Sequence, residues 1–386
     1  MEFRQLTQDE YDRKLREVIV GAEGHHANVQ NVGDGRATIG WGYTLNRDDN
    51  RAIWRRAGIE LTPEQMAVLD RIDRAPRDRK TGIGLTLDKV LTEAESDRLL
   101  RASIHEYEAP AIAAGMPLSE ERVAVVSVTY NRGPGAMRDH AAMVAIRDGD
   151  RAEAWYQLRY NCWGTNDDAE AGLRKRRFAE SEIFGLYNDP QAVSIEEAAA
   201  VYRMYREHHA EIDSVERRFG VTVDGVEARP NRIAHANRDY PDIVAMYGEV
   251  QTIADALEPA RSTLITHLRE RYPAHAGELT EERFNAALIE PERFPGAFAI
   301  DMPDGTRQDV QPVQAGLTTR AGGAEPGPFQ NQHLNLAVAA LGSGDMAQAE
   351  AAMRGLAESD QGQAFTRMGE EALVRGEEAA REPASR

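Results

Sequence analysis

The spacing of hydrophobic and polar residues predicts a first half built mainly from amphipathic helices. Thr7 and Glu10 form a capping-box pattern that indicates a helix start, and this helix is expected to run to Glu23. Apolar side chains then recur with the helical period on one face, at Tyr11, Leu15, Val18 and Ile19. The same reasoning predicts further helices over residues 62–72, 92–114, 119–130, 136–147, 150–160 and 168–186.

Two segments of the first half depart from this helical pattern. Residues 24–46 contain short apolar pieces between closely spaced glycines, which is typical of a small β-ribbon with tight turns. Residues 74–87 are polar and predict an exposed loop. The mostly apolar run over residues 119–130 instead predicts a central buried helix. The expected fold is α+β and mainly helical, with a small β-lobe inserted after the first helix.

A domain boundary is predicted near residue 190. Asn188, Asp189 and Pro190 are residues that end helices, and Ser194 with Glu197 indicates a new helix start. Charge also changes there, because residues 1–190 hold 27 basic and 32 acidic side chains, whereas residues 191–386 hold 19 and 32. The net charge is therefore −5 in the first half and −13 in the second.

The second half is predicted to be mostly helical as well. Residues 191–320 form the expected middle domain, with long periodic segments at 194–218 and 241–272. Asp304-Gly305 is a strong turn signal for a short β-hairpin in this domain. Residues 321–386 are expected to comprise a linker at 321–328, a helical hairpin at 330–358 and a polar tail.

Composition excludes several classes of protein. The overall charge of −18 argues against binding to duplex nucleic acid, which depends on basic side chains that neutralise phosphates. Cys162 is the only cysteine, so an intrachain disulfide is excluded. The first residues lack the apolar core of a signal peptide. The sequence contains no run of about 18 apolar residues, so no membrane span is predicted. No cofactor is predicted, and the adjacent His25 and His26 are expected on a surface turn rather than at a metal.

Glu23 is the first candidate for catalysis because it ends the first helix directly before Gly24. The partial negative charge of a helix C-terminus disfavours another anion there, and burial between two lobes acts in the same direction. Both effects favour a carboxylic acid that retains its proton and can donate it. Glycosidases use such a group to protonate the leaving oxygen.

Three later segments strengthen this interpretation by their order and spacing. Residues 38–44 read TIGWGYT, residues 128–135 read VTYNRGPG, and residues 171–180 read AGLRKRRFAE. Together with Glu23-Gly24 they resemble the phage-type lysozyme family of endolysins over about residues 8–187. The resemblance implies a two-lobed lysozyme fold and cleavage of peptidoglycan between its sugars.

The resemblance also implies roles for individual residues. Glu23 falls at the position of the family's general acid, and Thr38 falls at the position of its catalytic threonine. The family usually has an aspartate nine residues after the acid, where this chain has Val32, so Asp34 becomes the candidate for the second carboxylate. If Asp34 or Thr38 orients a water, the reaction is hydrolysis. If neither does, a lytic transglycosylase reaction is the alternative.

Substrate-binding candidates come from the same motifs: Trp41, Tyr43, Asn131, Arg132 and Arg174. Arg132 replaces the usual valine and is expected to meet an acidic stem peptide. In relatives an arginine of the basic segment pairs with the catalytic glutamate. At most one of Arg174, Arg176 and Arg177 is expected to reach the site, and the rest are predicted to form a solvated cationic helix face.

The biological setting stays open at the level of sequence. One hypothesis is an antibacterial effector whose C-terminal half serves delivery through a secretion system, with an immunity protein as partner and the periplasm as the place of action. Another is a multi-domain phage endolysin released by a holin. A third is a peptidoglycan-binding module without catalytic activity.

Overall fold

The computed structural model describes residues 1–165, 167–223 and 226–271, together with the short pieces 276–277 and 280–281. Within them the fold is α+β and mainly helical, as predicted, with one small three-stranded sheet in the first half. The hairpin at Asp304-Gly305 and everything predicted for residues 321–386 lie outside the described residues. No helix among the described residues is long and apolar enough to cross a bilayer.

The first helix and the ribbon follow the sequence prediction closely. Helix α1 spans Gln8–Glu23, and the side chains of Thr7 and Glu10 form the reciprocal capping box. Its predicted apolar face is buried. Strands β1 (His26–Gln30), β2 (Thr38–Gly40) and β3 (Tyr43–Thr44) then form an antiparallel sheet in the order β1-β2-β3.

A small hydrophobic core joins this sheet to four helices. These are α2 (Asn50–Arg56), α3 (Pro63–Arg74), α4 (Arg77–Gly84) and α5 (Glu93–Ser103). Ile39 and Tyr43 of the sheet are buried in this core with Trp54 of α2 and Leu99 of α5. This separate core makes the small lobe.

Helix α4 corrects the prediction of an exposed loop over residues 74–87. Lys80 is buried, and its ammonium donates to the carbonyl oxygens of Arg47 (2.7 Å) and Ile72 (2.6 Å). Gly84 packs so closely on the ribbon that a Cβ atom there would lie 2.6 Å from the Cβ of Ala37. These contacts hold a polar segment helical, which periodicity alone does not reveal.

The single helix predicted over residues 92–114 is also wrong, because α5 ends at Ser103 and α6 spans His105–Ala113. The Ser103 hydroxyl donates to the carbonyl oxygens of Leu99 (3.0 Å) and Leu100 (3.1 Å). A serine hydroxyl that binds helix carbonyls in this way offers the backbone an alternative to continuing the helix.

The large lobe is built around α7 (Glu120–Arg132), which is buried over most of its length, as predicted. Around it lie the helices α8 (Pro134–Met137), α9 (Ala141–Asp148), α10 (Arg151–Tyr156) and α11 (Glu170–Phe184). A π-helical turn at Gln157–Asn161 continues α10. Helix α11 packs against α7, which brings the basic segment of the sequence to the centre of the lobe.

The described part of the second half packs against helix α11. Helix α12 (Ile195–Phe219) begins at its predicted cap, Ser194, and is followed by strands β4 (Thr222–Val223) and β5 (Val226–Glu227). Helices α13 (Arg232–Asp239), α14 (Pro241–Tyr247) and α15 (Ile253–Arg271) complete it. The predicted helix over residues 241–272 is thus divided, since Gly248 has φ +90° and ends α14. Helix α13 packs on α11, and α15 packs on α12.

Candidate active site

Glu23 lies where the two lobes meet. It is the last residue of α1, which belongs to the large core, and its side chain is 21% exposed. Its carboxylate lies against Gly42 of the ribbon, where a Cβ atom would be 3.0 Å from Glu23 Oε2. Gly42 has φ +88°, a conformation that also favours glycine. The glycine therefore lets the ribbon approach the carboxylate directly.

Arg176 of α11 is the ion-pair partner of Glu23. One guanidinium nitrogen binds Glu23 Oε1, and Nε binds Glu180 Oε1 at 2.9 Å. Burial by itself would lower the pKa of Arg176, but the two carboxylates outweigh it, and the pKa lies above its ordinary value. Arg176 is thus a fixed cation that orients the Glu23 side chain.

The predicted solvated face of the basic segment is wrong, because Arg174, Arg176 and Arg177 are all buried. Arg174 pairs with Glu170 (3.2 Å) and lies over the Trp163 ring, with 4.9 Å from its guanidinium carbon to the ring centroid. Arg176 is therefore the arginine that contacts Glu23. This is consistent with the expectation that at most one of the three arginines reaches the site. The use of Arg174 in substrate binding stays a prediction.

Asn131 and Arg132 lie at the end of α7. The Asn131 side-chain oxygen accepts a hydrogen bond from Arg177, which also binds Glu180. Arg132 donates to the carbonyl oxygen of Asn161 at 3.3 Å. The Asn131 contact joins the YNRG motif to the basic segment, and the Arg132 contact joins it to the π-helical turn. Contact of either residue with substrate stays a prediction.

Thr38 occupies the first position of β2, opposite Gln30 of β1 and Thr44 of β3. Neighbouring residues of a strand point to opposite faces, and Ile39 is buried in the small core, so Thr38 lies on the other face of the sheet. Thr38 is only 4% exposed, yet its hydroxyl has no hydrogen-bond partner among the described residues. A buried polar group in this state is uncommon and invites a functional explanation.

Asp34 lies at the tip of the β1–β2 connection, where residues 31–36 are all exposed. Its carboxylate accepts a hydrogen bond from the backbone N–H of Arg36 (3.0 Å), and Asn31 accepts from the N–H groups of Gly33 and Gly35. Among the described residues, Asp34 makes its contacts within its own turn. Its role as second carboxylate stays a prediction.

Trp41 and Tyr43 have buried side chains whose polar atoms bind protein groups. The Trp41 indole donates to Asp97 (2.9 Å), and its ring lies 4.6 Å from that of His25, centroid to centroid. The Tyr43 hydroxyl donates to Asn50 (2.8 Å), and burial raises the pKa of Tyr43. Their proposed contact with substrate stays a prediction.

Two tyrosines of the site were not singled out from the sequence. The Tyr130 hydroxyl donates to the Trp41 carbonyl oxygen at 2.9 Å. Tyr107 of α6 packs on Tyr130 with 4.7 Å between ring centroids. Burial raises the pKa of both tyrosines, and the Glu23 carboxylate acts in the same direction. The YNRG motif contained Tyr130, but no local pattern marks Tyr107, because its neighbours come from distant segments.

A comparison with known proteins gives a match over the elements that form this candidate site. Residues 20–180 match the model of the family described as phage lysozyme. No curated protein and no solved structure matches the chain. The matched segment runs from the end of α1 through the ribbon and α7 to Glu180 of α11, and so contains Glu23, Gly42 and Arg176. Over residues 20–180, about two fifths of the chain, the sequence is therefore similar to the phage lysozyme family, whose members degrade peptidoglycan.

Proposed function

We propose that this protein is a muramidase that cleaves the glycan linkage between N-acetylmuramic acid and N-acetylglucosamine, with Glu23 as general acid. The observation that carries the proposal is the placement of Glu23. Its carboxylate is part-buried between two lobes, with Gly42 against one oxygen and Arg176 on the other. When it carries a proton, a carboxyl group held in this position can donate that proton to a glycosidic oxygen.

In the first step, the Glu23 proton passes to the glycosidic oxygen while the bond from that oxygen to the anomeric carbon of muramic acid breaks. The electron pair of the bond stays with the leaving sugar, and positive charge develops on the muramic acid ring. Glu23 becomes an anion during this step. Arg176 is a positioning residue that stabilises this anion, because its guanidinium already binds Glu23 and stays charged.

In the second step, a nucleophile forms a bond to the anomeric carbon and gives up its proton, which returns Glu23 to its acid form, directly or through solvent. The buried Thr38 hydroxyl, which has no partner among the described residues, supports a role in holding the attacking water. The exposed turn around Asp34 places no constraint on its carboxylate beyond its local hydrogen bonds. We therefore favour hydrolysis, and keep the lytic transglycosylase reaction, in which a substrate hydroxyl attacks, as the alternative.

Digestion of purified sacculi tests this proposal. The wild-type protein is expected to release soluble muropeptides with reducing muramic acid ends, identified by mass spectrometry. Glu23→Gln keeps the shape of the side chain but has no proton of suitable acidity, so turnover is expected to fall at least about 100-fold. Glu17→Gln is a matched control, since Glu17 lies on the same helix and pairs with the exposed Arg13.

Each alternative has its own result in this experiment. Anhydro ends, lighter by one water, would indicate the transglycosylase reaction. Sacculus binding without release of fragments would indicate a non-catalytic module. Full turnover by Glu23→Gln would contradict the assignment of the acid.

For the rest of the chain we propose a role in delivery of the enzyme to the cell wall. The support is that the family match ends at residue 180, while the chain continues for about half its length. If the protein is an effector, we expect a neighbouring gene for a periplasmic immunity protein. If it is an endolysin, we expect neighbouring holin and tail genes. If neither kind of gene were found nearby, the delivery proposal would lose its support.

A further inference from the structure

Two packed tyrosine rings lie beside the part of the ribbon that contacts Glu23. Gly42 lies against the Glu23 carboxylate, and the preceding carbonyl, that of Trp41, accepts the Tyr130 hydroxyl hydrogen bond. The Tyr130 ring then packs on Tyr107 at 4.7 Å. Tyr107 is half-buried, whereas Tyr130 is buried.

Arg47 fixes the Tyr107 ring from the side of the small lobe. Its guanidinium carbon lies 5.8 Å from the centroid of the Tyr107 ring and 5.2 Å from that of Tyr43. Arg47 also forms an ion pair with Glu106, the residue that precedes Tyr107. The ring is thus held between Tyr130 and Arg47, so its orientation is set before any ligand arrives.

The two tyrosine hydroxyls differ in what they offer a ligand. The Tyr130 proton is used in the hydrogen bond to Trp41. Burial raises the pKa of Tyr107 more than Arg47 lowers it, so its hydroxyl is protonated at neutral pH. Among the described residues, no hydrogen-bond acceptor contacts the Tyr107 hydroxyl, so its proton is left for a ligand.

We propose that Tyr107 is a specificity-determining residue that binds the sugar held next to Glu23, with its hydroxyl donating to an acceptor oxygen of that sugar. The inference rests on the proposed muramidase function, which it extends by naming a group for substrate recognition. A tyrosine suits this task because it combines a rigid apolar ring with a polar tip.

Binding of a soluble peptidoglycan tetrasaccharide to the inactive Glu23→Gln protein tests the inference without turnover. Adding Tyr107→Phe keeps the ring on Tyr130 and beside Arg47 and removes only the hydroxyl. Calorimetry is expected to give about tenfold weaker binding, the effect of one lost hydrogen bond to substrate. In the active protein the same change is expected to raise KM about tenfold and leave kcat within about twofold.

Tyr205→Phe is the matched control, because its hydroxyl bonds to Asp213 (3.3 Å) within α12, outside the site. Unchanged binding by Tyr107→Phe, or equal weakening by Tyr205→Phe, would overturn the inference. Its failure is distinguishable from that of the proposed function. If Tyr107→Phe weakens binding while the wild-type protein releases no fragments, the catalytic proposal fails and the binding residue stands.

Discussion

At the scale of single residues, three buried or part-buried charges decide the chemistry of the site. Arg176 binds both Glu23 and Glu180, and Glu180 also accepts a hydrogen bond from the Ser127 hydroxyl (2.5 Å). A buried carboxylate that loses its cation is costly, so each charge depends on the others. The geometry of Glu23 is therefore set by a network that reaches from α1 to α7 and α11.

Arg176→Met is expected to lower the free energy of unfolding by about 1.5–3 kcal/mol, because the buried Glu180 loses its Nε partner and keeps Arg177 as its cation. Turnover is expected to fall at least about tenfold, since Glu23 loses its orientation. Urea unfolding and sacculus digestion measure the two effects. Arg13→Met is the control, as its pair with Glu17 is exposed and contributes less than about 1 kcal/mol. Equal stability of the two variants would contradict the network.

At the scale of elements, the close contact between α1 and the ribbon depends on a glycine. Gly42 stands where β2 turns into β3, and its missing side chain leaves room for the Glu23 carboxylate. Its positive φ alone would favour glycine for backbone reasons. Substitution of a second glycine, which has positive φ but free space around it, distinguishes the effect of φ from the effect of contact with Glu23.

Gly42→Ala is expected to reduce turnover at least about tenfold, because its new methyl group would displace the Glu23 carboxylate. Gly58→Ala meets no atom within 4 Å at φ +61° and carries only the backbone strain. Both variants are expected to lose about 1 kcal/mol of stability, measured by urea unfolding. If Gly58→Ala lost as much turnover as Gly42→Ala, backbone strain rather than contact with Glu23 would be the cause.

At the scale of the whole molecule, the described part of the second half completes the burial of the first. Arg159, in the π-helical turn, is fully buried and pairs with Glu216 of α12 at 3.0 Å. It also donates to the carbonyl oxygen of Gln251 at 2.7 Å. A charge of the lysozyme-like half is thus satisfied by residues that lie well beyond the family match.

Arg159→Met is expected to lower the free energy of unfolding by about 3–5 kcal/mol, because Glu216 stays buried without its cation. Tryptophan fluorescence during urea unfolding reports on the lysozyme-like half, since Trp155 lies beside Arg159, with 5.1 Å from the guanidinium carbon to the ring centroid. Arg238→Met removes an exposed pair with Asp239 and is expected to change stability by less than about 1 kcal/mol. A similar midpoint for both variants would contradict this dependence.

Local sequence signals predicted those elements that local interactions define. The capping signals at Thr7 and Ser194 fixed the starts of two helices, and the closely spaced glycines located the ribbon. Helix α4 was missed because its stability comes from the bonds of Lys80 to carbonyl groups outside it. Element boundaries that depend on such distant partners carry little signal in the sequence around them.

The sequence alone determined that Glu23 ends a helix directly before a glycine, and that the motifs of a phage-type lysozyme follow in order. Only the tertiary structure decided that Arg176, and not Arg174, meets Glu23. The two arginines point about 160° apart on one helix, and the choice depends on a partner that lies 153 residues away. Tyr107 lies beside Tyr130 and Arg47 for the same reason, since a group's neighbours in space are set by the packing of both lobes.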